Sequence, residues 1–307
     1  MRVTSGDSPA LAVGRTATLR PRPRRIAQTT LRRFLRSSPL GALAAVVLVA
    51  IIFTALFAAQ LAPFDPTTND YGAARQPPTA THRLGTDNLG RDVLSRVIYG
   101  LRISLLVSIT SVVLGVSIGL AWGVTSGYIG GRYDILSQRL IEVLTSFPTL
   151  ILALLLSVSL GPGLQTVITA VAITQIPLAT RITRSVVLSV KEMAYVEAAR
   201  CVGATPGRIM FRQILPQCVA PILVIATLNL GSAIFAEASL SFLGVGILPP
   251  TPSLGNMLGG VLAQSFKPPW WLAVFPGVTI ALSVLAANLL GDALRDFLDP
   301  RLNKRLG

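Results

Sequence analysis

Long apolar stretches alternate with short polar segments along most of the chain. Each apolar stretch holds about 20 residues, and a helix of that length spans roughly 30 Å, the thickness of the hydrocarbon core of a bilayer. The pattern therefore predicts an all-α, polytopic membrane protein with six transmembrane helices. The predicted spans cover residues 40–62, 103–122, 141–160, a segment that starts near 167, 220–242 and 272–290.

The polar segments between these spans divide the chain into parts with different roles. Residues 89–101 are apolar at helical spacing, which predicts a short interfacial helix before the second span. Gly115, Gly119 and Gly123 favour close helix packing in that span, and Pro148 predicts a kink in the third. The parts are an Arg-rich tail over 1–39, a transmembrane helix over 40–62, an extracytoplasmic loop with the interfacial helix over 63–102, and a five-helix core over 103–307.

The composition favours a membrane protein over a nucleic-acid-binding one. Hydrophobic residues make up 51% of the chain, and charged residues make up 13%, against about 25% in an ordinary soluble domain. The mean hydropathy is +0.64. Lys and Arg number 27 against 13 Asp and Glu, a net charge of +14. The chain lacks a basic patch interleaved with aromatic residues, so we assign this charge to the flanks of membrane spans and expect no nucleic-acid partner.

Positive charge is concentrated on the side of the membrane that both termini share. The 1–39 tail has nine Arg residues against one acid, and residues 181–216 have six basic residues, whereas the turn at 161–163 has none. The positive-inside rule therefore predicts cytoplasmic termini and a cytoplasmic 181–216 segment. The tail would lie against anionic membrane lipid. Arg181 and Arg184 are interpreted as interfacial anchors.

The polar interruption over residues 191–217 predicts two short helices joined by a tight turn. Residues 191–202 contain no helix breaker, and Gly203 follows where a left-handed residue would end a helix. Thr205 and Pro206 predict a helix start, because the Thr oxygen accepts a backbone N–H and Pro at the first position has none to leave unpaired. The second helix is expected to stop at or before Pro216.

The same hairpin has features of a docking element. Its first helix places four residues on one face at helical spacing: Tyr195, Ala198, Ala199 and Val202. The two Ala residues would let another surface approach closely, and Glu197 adds a charge beside them. Spacing alone leaves two interpretations open, a docking element and an ordinary surface hairpin, because short patterns recur by chance.

Catalytic and metal-binding chemistry is not evident in the sequence. The chain lacks a Gly-Lys-Ser/Thr phosphate loop, a catalytic triad and a metal-ligand cluster, so we expect a non-catalytic subunit without a metal or cofactor of its own. Cys201 and Cys218 are interpreted as free thiols in a reducing cytosol. Glu237 lies deep in an apolar run, and it is either functional or hydrogen-bonded to Ser239 or Ser241.

Several segments together resemble permease subunits of binding-protein-dependent ABC importers. The motif Glu197-Ala198-Ala199 with Gly203 and the closing Ile214-Leu215-Pro216 is similar to the EAA loop of these permeases. Segments 82–105, 237–246, 249–258 and 288–302 resemble the second, C-type permease of the dipeptide/oligopeptide/nickel group. Independent segments in the family's order make the resemblance specific. Gln217 and Cys201 depart slightly from the family pattern, and the Arg-rich tail lies outside the family core.

The resemblance implies a type I ABC importer permease fold and a role in ATP-driven uptake of di- or oligopeptides. The implied partners are a homologous second permease, two cytoplasmic subunits that bind ATP and Mg, and an extracytoplasmic peptide-binding protein. The EAA loop, residues 191–217, would dock on an ATPase subunit. The residues that the resemblance assigns to ATPase coupling are Glu197, Ala198, Ala199, Gly203, Ile214, Leu215 and Pro216.

Two other functions remain open at the level of sequence. One is the same architecture with nickel or another small solute as cargo, although the chain lacks a His- or Met-rich ligand set. The other is an ion-coupled carrier or membrane scaffold that works alone, although inverted repeats and buried ion ligands are not evident. The resemblance supplies no dependable substrate-contact residue.

Overall fold

The structure is a computed structural model that describes residues 38–264 and 268–298. Most of the predicted 1–39 tail lies outside this range. Within it the chain forms helices and no β-strand. The α-helices are α1 (Pro39–Leu56), α2 (Ala58–Leu61), α3 (Val93–Ile129), α4 (Gly131–Thr145), α5 (Thr149–Leu160), α6 (Leu164–Val190), α7 (Ala194–Cys201), α8 (Pro206–Ile209), α9 (Leu215–Phe242), α10 (Leu254–Gln264) and α11 (Trp270–Leu298), joined by a 3-10 turn at Tyr71–Ala73 and a π segment at Met210–Ile214.

The hydrophobic pattern predicts membrane spans where the structure has long apolar helices. Among the described residues, five helices are long and apolar enough to cross a membrane: α1, α3, α6, α11 and the run Pro206–Phe242 that ends with α9. A sixth crossing forms if α4 and α5 count as one span, although the two helices meet at 87°. The chain is therefore a polytopic α-helical membrane protein with one broken span.

The third predicted span is wrong as a single kinked helix over residues 141–160. Here α4 ends at Thr145 and α5 begins at Thr149. Pro148 has a ψ of 133°, outside the helical region, and it offers no N–H to continue the ladder. The residue before a Pro is also pushed out of helical conformation, so the chain breaks instead of bending. We call residues 146–148 the elbow.

The interfacial helix predicted before the second span is also wrong as a separate element. Helix α3 runs without a break for 37 residues from Val93. Its first turns are buried, because Val93, Val97 and Leu101 pack with Leu254 of α10 and Leu272 of α11. The sequence predicts that this apolar face contacts the membrane surface. In the structure the same face packs inside the protein.

Helices α3 and α6 pack closely along a row of glycines, as the small-residue spacing predicts. A Cβ at Gly115 would lie 2.4 Å from the carbonyl oxygen of Ala172. A Cβ at Gly123 would lie 2.6 Å from that of Thr180. Gly119 is equally close to α6. No larger residue fits at these positions without moving a helix, so the glycines set the distance between the two spans.

The polar segment between α2 and α3 folds against the adjacent helix ends. The Asp87 carboxylate accepts from the backbone N–H of Arg91 at 3.0 Å and from its Nε at 2.7 Å. Trp271 of α11 donates its indole N–H to the carbonyl of Thr86 at 3.3 Å. The buried Arg96 of α3 donates to a backbone carbonyl of the same segment at 2.9 Å. These bonds tie the segment to α3 and α11.

Candidate functional site

The first helix of the hairpin, α7, ends in a Schellman motif. The N–H of Gly203 donates to the carbonyl of Arg200, and that of Ala204 donates to the carbonyl of Ala199, both at 3.0 Å. Gly203 has a φ of +79°, a left-handed conformation that glycine adopts without a Cβ clash. The predicted left-handed end of this helix is therefore confirmed.

The second helix of the hairpin begins where the Thr-Pro pair predicts. Pro206 is the first residue of α8, and the Thr205 hydroxyl accepts from the N–H of Arg208 at 3.4 Å. Only four residues follow in α-helical form before the chain widens into the π segment Met210–Ile214. The hairpin and the following span are thus one continuous helical run.

The prediction that this second helix stops at or before Pro216 is wrong. The N–H of Leu215 donates to the carbonyl of Met210, five residues back, and the helix then continues through Pro216 into α9. A π turn holds one more residue than an α turn, so it gives the Pro ring room beside the preceding carbonyls. The hairpin therefore connects to the α9 span without a flexible joint.

One side of the hairpin is buried in the protein. Val196 and Ala199 of α7 and Ile209 and Ile214 beyond the turn pack with Val187 of α6. Four of these five side chains are almost completely buried. Burial of several aliphatic side chains contributes roughly 1.5–3 kcal/mol each, so the hairpin is held as part of the helical body.

The other side of the hairpin exposes large apolar side chains. Val202 is 84% exposed and Phe211 is 71% exposed, and Tyr195 is 45% exposed. Two exposed cations, Arg208 and Arg212, line a shallow depression with Phe211. We call the exposed side chains of residues 195–212 the hairpin surface. Exposed apolar side chains with cations beside one of them favour a docking element over an ordinary surface hairpin.

The seven candidate coupling residues all lie in this hairpin or at its junction with α9, but they do not share one surface. The exposed ones are Glu197, Ala198, Gly203 and Pro216, while Ala199 and Ile214 are buried and Leu215 is half-buried. The prediction that Tyr195, Ala198, Ala199 and Val202 share one face is wrong at Ala199, because α7 packs inward through this residue and Val196. Phe211, which is exposed in the π segment, could not be recognised from the local sequence pattern.

An ion pair fixes the end of α6 that leads into the hairpin. The Arg184 guanidinium donates from Nε to Asp134 Oδ1 at 2.6 Å and from Nη2 to Oδ2, so α6 is clamped to α4. The hydroxyl of Ser126 donates to the same carboxylate at 2.5 Å, which adds α3. Arg184 therefore has a more specific role than the interfacial anchor that the sequence suggests.

Glu237 is completely buried and hydrogen-bonded, as one of its two interpretations predicts. It accepts from Ser104 of α3 at 2.6 Å and from Ser241 of α9 at 2.9 Å. Ser239 is not a partner, because its hydroxyl donates to the carbonyl of Phe235. The Ser241 oxygen also accepts from the N–H of Ile247. Glu237 thus joins two spans and the following loop, and its bonds favour a structural role.

The arrangement offers a surface for binding. Among the described residues, no group of three or more His, Cys, Asp or Glu side chains is placed to hold a metal ion. Cys201 is exposed and Cys218 is buried, and both are free thiols. A scaffold of spans with a rigid, exposed hairpin is suited to transmit movement between a membrane path and a partner.

Comparison with known families defines the class of this membrane protein. Residues 94–304 match the family described as "Binding-protein-dependent transport system inner membrane component". Residues 27–78 match the "N-terminal TM domain of oligopeptide transport permease C". The first match covers more than half of the chain, and the chain belongs to this family of inner-membrane transport permeases.

Individual relatives extend the similarity over most of the chain. A protein named "Di/tripeptide transport system permease protein DppC" from Pseudomonas aeruginosa is 44% identical, covering 82% of this chain and 85% of the relative. "Glutathione transport system permease protein GsiD" from Escherichia coli O1:K1 is 43% identical over 88% of this chain and 89% of the relative. "Dipeptide transport system permease protein DppC" from Haemophilus influenzae is 40% identical over 86% and 92%.

A solved structure shares the fold. A chain of the "MetNI methionine ABC transporter" in an inward-facing conformation aligns with a TM-score of 0.54 and 21% identity, covering 66% of this chain and 97% of that chain. A second crystal form of the same transporter aligns with a TM-score of 0.50. The helical architecture is therefore that of ABC importer permeases, as the sequence resemblance implies.

Proposed function

We propose that this chain is a permease subunit of an ATP-driven importer and forms half of a membrane path for di- or oligopeptides. The exposed hairpin surface on a rigid base carries this proposal, because a subunit without catalytic groups needs a contact through which energy arrives. Family membership and relatives named for di/tripeptide, dipeptide and glutathione transport support the peptide cargo.

In this proposal the hairpin surface docks on a cytoplasmic ATPase subunit. Two such subunits bind ATP and Mg, a homologous permease completes the path, and an extracytoplasmic binding protein delivers the peptide. Glu197, Ala198 and Gly203 contribute to the docking contact, whereas Ala199 and Ile214 hold the hairpin to the spans. The positive-inside pattern supports cytoplasmic termini and a cytoplasmic hairpin.

The continuous helix from Pro206 to Phe242 supports a lever mechanism. Closure of the ATPase subunits on ATP would displace the hairpin, and the stiff π and α9 segments would pass that displacement to the membrane path. A bistable pair of states, each favoured by a different ligand, is the general means by which such coupling works. The Arg184–Asp134 ion pair would keep α6 moving with α4.

A charge placed on the hairpin surface tests this function. In the complex reconstituted with its partner subunits, Val202→Asp is expected to lower peptide uptake and peptide-stimulated ATP hydrolysis together by tenfold or more, because it puts an anion in the apolar contact. Tyr71→Asp, at a residue 71% exposed outside the hairpin, is the matched control and should change neither rate.

Two results would contradict the proposed function. Val202→Asp with unchanged coupling would show that the hairpin surface does not dock an ATPase. Uptake of nickel without uptake of any peptide, or transport by this chain alone in vesicles with an ion gradient, would assign it one of the alternative functions.

A further inference from the structure

A cavity with a mixed apolar and polar lining lies between the spans, apart from the hairpin surface. It has a volume of about 480 Å3 and is bordered by the elbow and its two helices, by α6 and by α9, with one side open. Ligand pockets typically measure about 300–1,000 Å3, so the space suits a small solute. Its polar lining comprises Thr145, Thr149, Thr174, Gln175, Arg181, Asn229 and Ser232.

The cavity lies at the middle depth of the spans. Gln175 is about 17 Å along α6 from its first residue, and Asn229 is about 21 Å along α9 from its first residue, at 1.5 Å per residue. Each is close to the midpoint of its helix, which has 27 residues in α6 and 28 in α9. Polar side chains at this depth are expensive unless they serve a pathway through the protein.

Two amide side chains line the cavity, and one of them has unused hydrogen-bonding capacity. Asn229 is 6% exposed, and its Nδ2 has no partner among the described residues. Gln175 is also 6% exposed. A buried amide without a partner costs roughly 1–3 kcal/mol, so a ligand that supplies the bond would recover that energy.

An amide side chain carries both a donor and an acceptor. Each peptide unit likewise carries one N–H and one carbonyl. Asn229 and Gln175 therefore offer the two kinds of group that a peptide backbone requires.

A cation without a carboxylate partner lines the same cavity. Arg181 donates from Nη2 to the Thr145 hydroxyl at 3.0 Å, and no Asp or Glu among the described residues forms an ion pair with it. Arg184, one turn further along α6, differs because Asp134 neutralises its charge. The guanidinium of Arg181 is therefore free to pair with an anion from outside the chain.

The spacing of these groups matches a short peptide. Arg181 is six residues beyond Gln175, about 9 Å along the helix axis. Two to three extended residues cover roughly that distance. We infer that this cavity is a substrate site in the membrane path, where Asn229 and Gln175 bind the backbone of a short peptide and Arg181 binds its terminal carboxylate.

This inference rests on the proposed peptide-import function and assigns substrate contacts to it. The described lining contains a cation and no carboxylate, which favours an anionic group on the cargo and disfavours a metal cation. The half-exposed apolar side chains Phe147, Leu150 and Phe235 also line the cavity and would face the second permease of the proposed pair.

Uptake of two probes tests the site in the reconstituted complex. The probes are alanyl-phenylalanine and its C-terminal amide, which differ only in the terminal charge. Arg181→Gln is expected to lower the ratio of free-acid to amide uptake about tenfold, since a charge-assisted hydrogen bond is lost only for the free acid. Any preference of the binding protein enters both ratios equally and cancels.

A second variant tests the amide contacts. Asn229→Leu keeps the side-chain size and is expected to lower uptake of both probes about tenfold. Asn69→Leu is the control, because it makes the same change at an exposed residue outside this cavity, and it should leave uptake unchanged. Co-purification with the partner subunits checks assembly, and where Asn229→Leu does not assemble, the Arg181→Gln ratio decides.

The outcomes separate this inference from the function on which it rests. Wild-type uptake with unchanged rates and ratio in Arg181→Gln and Asn229→Leu would overturn the site alone. An equal loss of both probes in Arg181→Gln would overturn the carboxylate contact. A wild-type complex that imports neither these probes nor any longer peptide would reject the proposed function and the site together.

Discussion

Gly203 holds the hairpin turn through its backbone conformation. Its φ is +79°, and a Cβ built there would meet nothing within 4 Å. Space is thus available for a side chain, and the left-handed conformation alone selects glycine. Gly207, four residues later, also has open space but lies in α8 without a positive φ. A comparison of Gly203 with Gly207 therefore separates the effect of backbone conformation from the effect of steric contact.

We expect alanine at these two positions to have opposite effects on stability. Gly203→Ala should destabilise the permease by about 1–2 kcal/mol, the cost of a left-handed alanine. Gly207→Ala should stabilise it by roughly 0.5–1 kcal/mol, because alanine loses less backbone entropy in a helix. Thermal unfolding of the purified protein in detergent measures both, and a lower Tm for Gly207→Ala or an unchanged one for Gly203→Ala would contradict this.

At the scale of elements, two prolines have different effects on the helices around them. Pro148 ends the helical ladder and gives the 87° break between α4 and α5. Pro216 lies within a helical run that continues to Phe242. The difference lies in the π segment before Pro216, which provides room for the ring, and in the packing of Ile209 and Ile214 that keeps the segment helical.

The glycine row between α3 and α6 gives a prediction about helix packing. A Cβ at Gly119 would lie 2.6 Å from the Cβ of Ala179, whereas one at Gly277 of α11 would meet nothing within 4 Å. Gly119→Ala should therefore destabilise the protein by about 1–3 kcal/mol through overpacking.

Gly277→Ala is the matched control for this change. It should leave stability unchanged or raise it by up to about 1 kcal/mol. Unfolding midpoints of the two variants in the same detergent make the comparison. Equal midpoints would show that α3 and α6 separate without cost.

At the scale of the whole molecule, the placement of the hairpin on one side of the membrane links fold to function. Cys201 lies in the exposed part of α7 and Cys218 is buried in the cluster that anchors the hairpin. These are the two cysteines of the chain. The natural protein therefore already carries one accessible thiol on the hairpin and one protected thiol beside it.

Thiol labelling is expected to report the orientation of the hairpin. In cells that express this chain without the ATPase subunits, a membrane-impermeant maleimide should label Cys201 in lysed membranes but not in intact cells, if the hairpin is cytoplasmic. Cys201→Ser should remove that labelling, because Cys218 is shielded. Labelling in intact cells would place the hairpin on the outer side and exclude an ATPase partner there.

Hydropathy predicts the membrane class and the approximate spans, because the thickness of a bilayer acts directly on the local sequence. The caps of the hairpin at Gly203 and Thr205 are also local, since each depends on a few neighbouring residues, and both are confirmed. The coupling residues Glu197 and Ala198 follow from a family resemblance and stay a prediction, although the structure exposes both.

Features that depend on distant residues required the tertiary structure. The faces of α7, the continuous start of α3 and the bond from Ser104 to Glu237 are set by helices remote in sequence. The same holds for the cavity that brings Gln175, Arg181 and Asn229 together, because no local pattern marks a space between three spans. The sequence by itself determined which segments enter a membrane, because the hydropathy of each segment decides whether it is stable in the hydrocarbon core. The packing of the helices decided what each segment contacts. It also decided which polar groups find a hydrogen-bond partner, because those partners lie on other helices.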